Sequence, residues 1–208
     1  MKPAPRRLAL AALLTAALSA ALPLRADVPT WKIDASHSDV SFRVKHLVIS
    51  RVAGQFGKFE GTVVGDPKAP AAAKVELKIE TASIDTKDAK RDAHLRSADF
   101  FDAEKHPEIA FTSTRIVDRG NGAYDILGNL TMRGVTKPVT LSAKNTGFVT
   151  DPWGNERAGF EASGRLNRQE WGVSWSKKLD SGGLVVDDDV DLIVNLELVK
   201  QKPAAPKG

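Results

Sequence analysis

The sequence predicts an all-β protein, an antiparallel barrel of about eight strands with one short helical excursion near residues 87–102, and three observations carry that prediction. From Asp39 onward apolar and polar residues alternate at period two, as they do in strands with one face buried and the other wet. Turn-forming residues separate the alternating runs at short intervals, which argues for antiparallel neighbours in up-and-down order. Strands of this kind in one open sheet would leave two exposed edges, and closure into a barrel removes both. A two-sheet sandwich satisfies the same periodicity and is the alternative.

The first run, DVSFRVKH, places Val40, Phe42 and Val44 on one face and Ser41, Arg43 and Lys45 on the other. Gln55–Val64 supplies the second strand, and KVELKIE the third, with Val75, Leu77 and Ile79 together. PEIAFTS then presents Ile109 and Phe111, with Thr112 on the opposite face. Further runs carry Tyr124, Ile126, Leu130 and Met132; Val139, Leu141 and Ala143; and Phe160, Ala162 and Leu166. The last, VDLIVNLELV, aligns Val190, Leu192, Val194, Leu196 and Leu198. Between the runs lie Gly65-Asp66-Pro67, Arg119-Gly120-Asn121-Gly122, Arg133-Gly134 and Asp151-Pro152-Trp153-Gly154-Asn155. One sizeable segment breaks the alternation: Lys87 to Arg96 has ordinary helix formers, and Ser97-Ala98-Asp99 offers a turn or a new cap before Phe100. An excursion this long, from near Thr81 to near Glu108, covers an open end of a barrel or lines a site.

The chain begins MKPAPRR and continues into LALAALLTAALSAAL, a basic segment followed by an apolar run too short for a comfortable membrane span. Residues 1–26 are therefore expected to be a secretory signal cut after Ala26, residues 27–199 the barrel domain, and 200–208 a disordered tail. Of 30 basic residues, Lys2, Arg6, Arg7 and Arg25 leave with the signal, so 26 face 26 acidic ones and the exported chain is neutral. The pI near 9.3 belongs largely to the signal. A neutral domain lacks the basic face that nucleic acid requires. There is no cysteine, hence no disulfide, thiol nucleophile or Cys-ligated metal.

Chemistry-bearing motifs are sparse: there is no G-x-S-x-G, H-E-x-x-H, Walker A or G-x-G-x-x-G sequence. His37, His46, His94 and His106 have no ligand-like local spacing; His37 and His46 read as polar strand ends and His106 as part of a solvated turn. A Ser36, His94 and Asp92 triad has no nucleophile elbow behind it. Asp187-Asp188-Asp189-Val190-Asp191 lacks the glycine and terminal Glu of a calcium loop and reads as a solvated strand entry. Asn129-Leu130-Thr131 is a sequon within a predicted strand. Trp153, Trp171 and Trp175 read as barrel-end packing, with Trp171, beside Asn167-Arg168, the one best placed to meet a ligand.

Five blocks in order then carry a resemblance: Trp31 to Leu47 (W-x-I-D-x-x-H-S-x-V-x-F-x-V-K-H-L), Arg91 to Asp102 (R-D-x-H-L-R-S-x-D-F-F-D), P-E-I-x-F, Leu130 to Val139 (L-T-x-R-G-V-T-K-P-V) and Leu166 to Gly172 (L-N-R-x-x-W-G). In these the chain resembles the YceI family. The resemblance implies an extended lipocalin-like eight-stranded barrel, exported to the periplasm, whose interior binds a polyisoprenoid or a quinone-like long amphiphile; it implies no particular reaction, and no catalysis, cofactor or metal is expected. Val40, Phe42, Val44, Ile79, Phe111 and Leu130 would then line the chain together with Met132, Phe160, Leu166, Trp171 and Leu192. Phe100 and Phe101 would plug or rim one end. Arg91, Asp92, His94 and Arg96 would form a polar collar that meets a headgroup, or would pair with one another and fix the loop. Such a protein does not span the membrane, and a homodimer is compatible with it. Two alternatives are an enzyme acting on a lipid at the collar, and a stress-related interaction protein whose barrel is merely a packed core.

Overall fold

The computed structural model describes residues 28–180 and 182–202. The predicted signal, 1–26, and the end of the predicted tail, 203–208, lie outside the described residues. The elements are β1 (Thr30–Ile33), β2 (Asp39–His46), β3 (Ser50–Phe56), β4 (Phe59–Val64), β5 (Lys74–Glu80), β6 (Ile84–Asp85), α1 (Ala89–Arg96), β7 (Glu108–Gly120), β8 (Ala123–Met132), β9 (Val135–Thr150), β10 (Glu156–Asn167) and β11 (Val186–Lys200). Among the described residues no helix is long and apolar enough to cross a membrane.

All eleven strands belong to one sheet, in the order β1-β4-β5-β7-β8-β9-β10-β11-β2-β3-β6, with β1 also paired to β11. They make eight staves, because β2 continues β1, β4 continues β3 and β6 continues β5 along the same partners. β1 and β2 lie against β11 on one side and against β4 and β3 on the other. Each stave pairs antiparallel with its neighbour in sequence, and the last returns to the first, which closes the barrel and rules out the two-sheet sandwich. At one end the circuit is completed by a short element: Trp31 stands opposite Lys200 of β11 and Val63 of β4 at once.

Three features went beyond the periodicity. β1 is a strand of its own, set off from β2 by a 3-10 turn at Ala35–His37 that Asp34 caps. The segment Arg168–Val185, between β10 and β11, is a second excursion where the alternation signals only one. The aspartate run is not a solvated strand entry. β11 already begins at Val186, whose partner is His46, while Val190 pairs with Val44, so Asp187–Asp189 form a bulge in the β2–β11 ladder.

The first excursion folds for local reasons. The Asp88 carboxylate accepts hydrogen bonds from the backbone N–H groups of Lys90 and Arg91, and Ser97 ends the helix by donating its N–H to the His94 carbonyl. α1 is polar almost all round, so its own packing cannot hold it in place. Its anchorage comes from the side-chain bonds described below.

The inward residues form two apolar clusters along the barrel. One centres on Phe56, Phe100, Phe111, Leu130 and Trp171, and the other on Trp31, Val63, Ile116, Ala158 and Leu198. Two glycines make room for the large rings of the first. A Cβ at Gly54 would run into the Phe42 ring and the Thr86 methyl, and one at Gly128 into the Phe111 ring and the Thr112 carbonyl. Each ring reaches over the neighbouring strand at the place where a side chain would otherwise stand. Gly128→Ala is therefore expected to lower stability by about 1–3 kcal/mol through overpacking. Phe111→Leu in the same chain should recover part of that loss, and urea unfolding of the single and double variants checks it.

Candidate functional site

Inward-facing residues at one end of the barrel do not fill it. They enclose a cavity of about 180 Å³ whose wall comes from every stave. Val40, Phe42, Val44, Ile79, Phe111, Leu130, Met132, Leu166 and Leu192 line it, as do Phe100 and Phe101 from the first excursion. Strand parity decides who faces in: Phe42, opposite Leu192, lines the cavity, whereas its neighbour Arg43 is exposed. Thr112, beside the buried Phe111, is exposed as well.

A second void of about 60 Å³ lies further along the barrel, among Val63, Tyr124, Phe160 and Leu198. Val75, Ile126, Ala162 and Leu196 line both voids and form a waist between them. Phe160 therefore belongs to the smaller compartment rather than to the main wall. Trp171 lines neither: it is buried, with its indole Nε1 donating to the Leu130 carbonyl at 3.0 Å, which makes it a strut between the second excursion and β8.

The first excursion closes one end with aromatic rings. Phe100 is 5 % exposed and tilts against Trp175 at 5.3 Å, while Phe101 meets Phe56 edge-on at 6.1 Å and Phe56 meets Phe42 at 5.9 Å. The polar block that holds these rings turns its groups inward on itself. Asp92, 6 % exposed, accepts from the Thr86 N–H at 2.9 Å and the Thr86 hydroxyl at 2.5 Å. Arg91 donates to the Thr86 hydroxyl and carbonyl, both at 2.7 Å. Arg96 donates to the Ala82 and Ile84 carbonyls, also at 2.7 Å each. His94 bonds Asp99 at 2.8 Å and packs its ring against Phe100 and Trp175. Arg91 and Asp92 thus tie α1 to Thr86 just after β6, Arg96 ties it to the β5–β6 connection and β6, and His94 ties it to the turn that follows. The arrangement favours the internal pairing over a headgroup collar. The imagined triad does not assemble, since Ser36 is bonded to Asp34, Asp92 to Thr86 and His94 to Asp99.

One wall residue escaped the sequence reading of the site. Arg168, 4 % exposed, is the charged side chain of the cavity lining. Its Nε donates to the Asp187 carbonyl at 2.9 Å, and its Nη1 to the carbonyls of Val173 at 2.6 Å and Trp175 at 2.9 Å. Its Nη2 reaches the Val186 carbonyl at 3.3 Å and the Asp188 carboxylate at 3.2 Å. A guanidinium has five N–H donors, and here five acceptors take them. Burial pulls the Arg168 pKa down, and the Asp188 and Asp187 charges push it back. The bulge at Asp187–Asp189 and the second excursion are thereby sewn together by one buried cation with no donor left over for a ligand. The other polar lining residue, Ser41, donates its hydroxyl to the Asp39 carboxylate at 2.8 Å, with the Ile193 carbonyl 3.3 Å away. The cavity therefore presents carbon.

Ligating groups do come together elsewhere: Asp34, His37 and Glu197 bring donor atoms within 4.8 Å of one another. Arg157 donates to both carboxylates and to Asp151, so the cluster already contains its cation. Hydrogen bonds from Ser36, His37 and Arg157 hold Asp34 well below the usual carboxylate range.

The description of the family model that fits residues 31–198 is a YceI-like domain. The chain belongs to the YceI family. The protein YceI of Escherichia coli O157:H7 is 47 % identical over 174 residues, covering 83 % of this chain and 87 % of that one. A UPF0312 protein of Pectobacterium atrosepticum is 46 % identical over 169 residues, covering 81 % and 84 %. Among solved structures, the YceI protein of Campylobacter jejuni superposes with a TM-score of 0.67 at 32 % identity, covering 81 % of this chain and 96 % of its own. A polyisoprenoid binding domain from Saccharophagus degradans shares the fold at a TM-score of 0.62 and 14 % identity, covering 82 % and 98 %. In this YceI-family barrel the family's L-N-R-x-x-W-G block, read here as Leu166 to Gly172, has a physical reason: the leucine lines the cavity, the arginine sews its end and the tryptophan braces β8.

Arg168→Leu should cost about 3–5 kcal/mol, because it strands the Val173, Trp175 and Asp187 carbonyls and leaves Asp188 without its charge partner. Arg168→Lys, with three donors for five acceptors, should fall between Leu and the parent in urea unfolding.

Proposed function

We propose that this YceI-family barrel is an exported, non-catalytic carrier that holds the apolar chain of a long amphiphile, most simply a polyisoprenoid or the tail of an isoprenoid quinone. The observation that carries the reading is the cavity wall. It is apolar on every stave, and the two polar residues that touch it have their donors committed to the protein itself. Such a surface gains by burying hydrocarbon and has nothing with which to orient a reacting polar group. A barrel of the same fold described as polyisoprenoid binding is consistent with this class of ligand. The basic and apolar segment at 1–26 supports export to the periplasm as a signal peptide, with residues 27–199 as the carrier domain.

The size of the cavity adds a constraint. A dry cavity of about 150 Å³ takes up a benzene ring, so the 180 Å³ void seats a few apolar groups as it stands. A chain of many isoprene units must part the aromatic rings at Phe100 and Phe101, or pass the waist at Ala162 into the second void. Each buried CH₂ contributes about 0.8 kcal/mol before ordering costs. Affinity should accordingly climb with the first isoprene units and level off once the compartments are full.

Titration of the purified barrel with a series of isoprenoid alcohols of increasing length tests the proposal, together with a pair of variants. Phe42→Ala should weaken long-chain binding and cost less than the about 3–5 kcal/mol of a tightly packed Phe, since it faces an existing void. Arg43→Ala, one residue away on the wet face, should change neither quantity. Equal affinity for short and long chains, or loss of binding on Arg43→Ala with Phe42→Ala intact, would place recognition outside the barrel.

A further inference from the structure

The β2–β3 hairpin ends in a turn whose residues contradict its geometry. The Ile49 N–H bonds the His46 carbonyl at 3.3 Å, and the two central residues, Leu47 and Val48, have φ of 53° and 67°. This is the turn that positive φ at both centres makes favourable for Asn-Gly, and a β-branched valine is among the residues it suits least. The chain nevertheless carries Leu-Val-Ile there and turns two of the three into solvent. Ile49 is 86 % exposed and Val48 60 %, the former the most exposed of the large hydrophobic residues described.

Basic residues stand on both sides of this tip, next to the acidic bulge Asp187–Asp189 of β11. Lys45, exposed on β2, stands opposite exposed Arg51 on β3. The neighbouring ribbon is fixed by two backbone bonds, Leu47 N–H to Val185 carbonyl at 2.9 Å and Val185 N–H to Lys177 carbonyl at 2.8 Å. At about 4.8 Å per strand this puts the Lys177 backbone within about 10 Å of the turn. Lys177 and Lys178 are both exposed, against the single acid Asp180 on that loop. Arg51 is paired with Asp191. The position in the barrel is equally specific: Val44 and Val186, next to the turn on either side of the ladder, line the cavity end that Phe101 and Val173 also bound.

We propose that the Leu47–Ile49 tip is a membrane-docking loop, which inserts Val48 and Ile49 into an anionic bilayer surface while Lys45, Lys177 and Lys178 meet the lipid phosphates. Two apolar side chains are far too little for a protein interface, which needs about 800 Å² per partner. They suffice for shallow insertion when cations add to them, each lysine near an anionic surface contributing about fivefold in affinity. Docking would hold the cavity end over the source of an apolar ligand, but the proposal does not depend on which molecule the cavity holds.

Flotation with vesicles tests it, using the chain that starts at Asp27 so that the apolar segment before it cannot bind lipid; the barrel closes within residues 30–201. The protein should float with vesicles of phosphatidylcholine containing about one-third phosphatidylglycerol, and far less with phosphatidylcholine alone or at high salt. Ile49→Asp should reduce flotation at least tenfold. Val48→Gly, which relieves the turn, should weaken flotation while leaving the unfolding temperature unchanged or higher, a combination that a purely structural tip would not produce. The triple change of Lys45, Lys177 and Lys178 to Ala should bring binding down to the phosphatidylcholine level. The proposal is overturned if the parent protein does not float, if it floats equally on both vesicles, or if Ile49→Asp floats like the parent. It is overturned equally if Ile49→Asp instead abolishes a dimer seen by sedimentation while neither protein binds vesicles.

Discussion

Closure of the sheet is the constraint on which the rest of this molecule depends. The first stave, β1 with β2, pairs with β11 on one side and with β4 and β3 on the other, and without it the remaining seven staves would be an open sheet with two free edges. Once the circuit is closed, every strand has one face that water cannot reach. Period two then ceases to be a statistical pattern and becomes an assignment of each side chain to interior or solvent. Phe42 and Arg43 differ by one position in the chain and by the whole thickness of the barrel wall.

A closed barrel still has to manage its ends, and here the two excursions do that work by the same means. Each uses cationic side chains to satisfy backbone carbonyls that the strands leave behind. Arg91 and Arg96 bind Thr86, Ala82 and Ile84, and Arg168 binds Val173, Trp175 and Asp187. An unpaired carbonyl at these places would draw water toward the cavity, whereas a paired one leaves the wall dry and apolar. The charged segment around Phe100 and Phe101 is in this sense the reason that two phenylalanines can sit there. Its charges cancel against one another and against backbone, and the two rings face inward with Leu95.

The architecture was largely legible in the sequence, because alternation and turn chemistry are local signals. The eight staves, the helix after Asp88 and the inward set from Val40 to Leu192 follow from them. What stayed hidden depends on tertiary pairing. Gly54 and Gly128 read as ordinary strand glycines until the Phe42 and Phe111 rings are found lying over them. Asp187–Asp189 look like a solvated run until the ladder shows a bulge clasping Arg168. Phe160 and Trp171 have the right residue type and parity for a ligand wall, yet one falls beyond the waist and the other is spent as a strut, distinctions of a few ångströms along the barrel axis that no pattern of period two encodes. The resemblance named the important block at Arg91 to Asp102 but could not say whether its charges point at a ligand or at one another.

The claim at the centre of this account is that the barrel exists to hold an apolar chain. Mass spectrometry of an organic-solvent extract of the gently purified protein tests it most directly. The account predicts a co-purifying molecule with a long apolar chain, recovered in constant proportion to protein and lost from Phe42→Ala. Repeated extracts that contain no such molecule, from protein that is folded and never exposed to detergent, would contradict it.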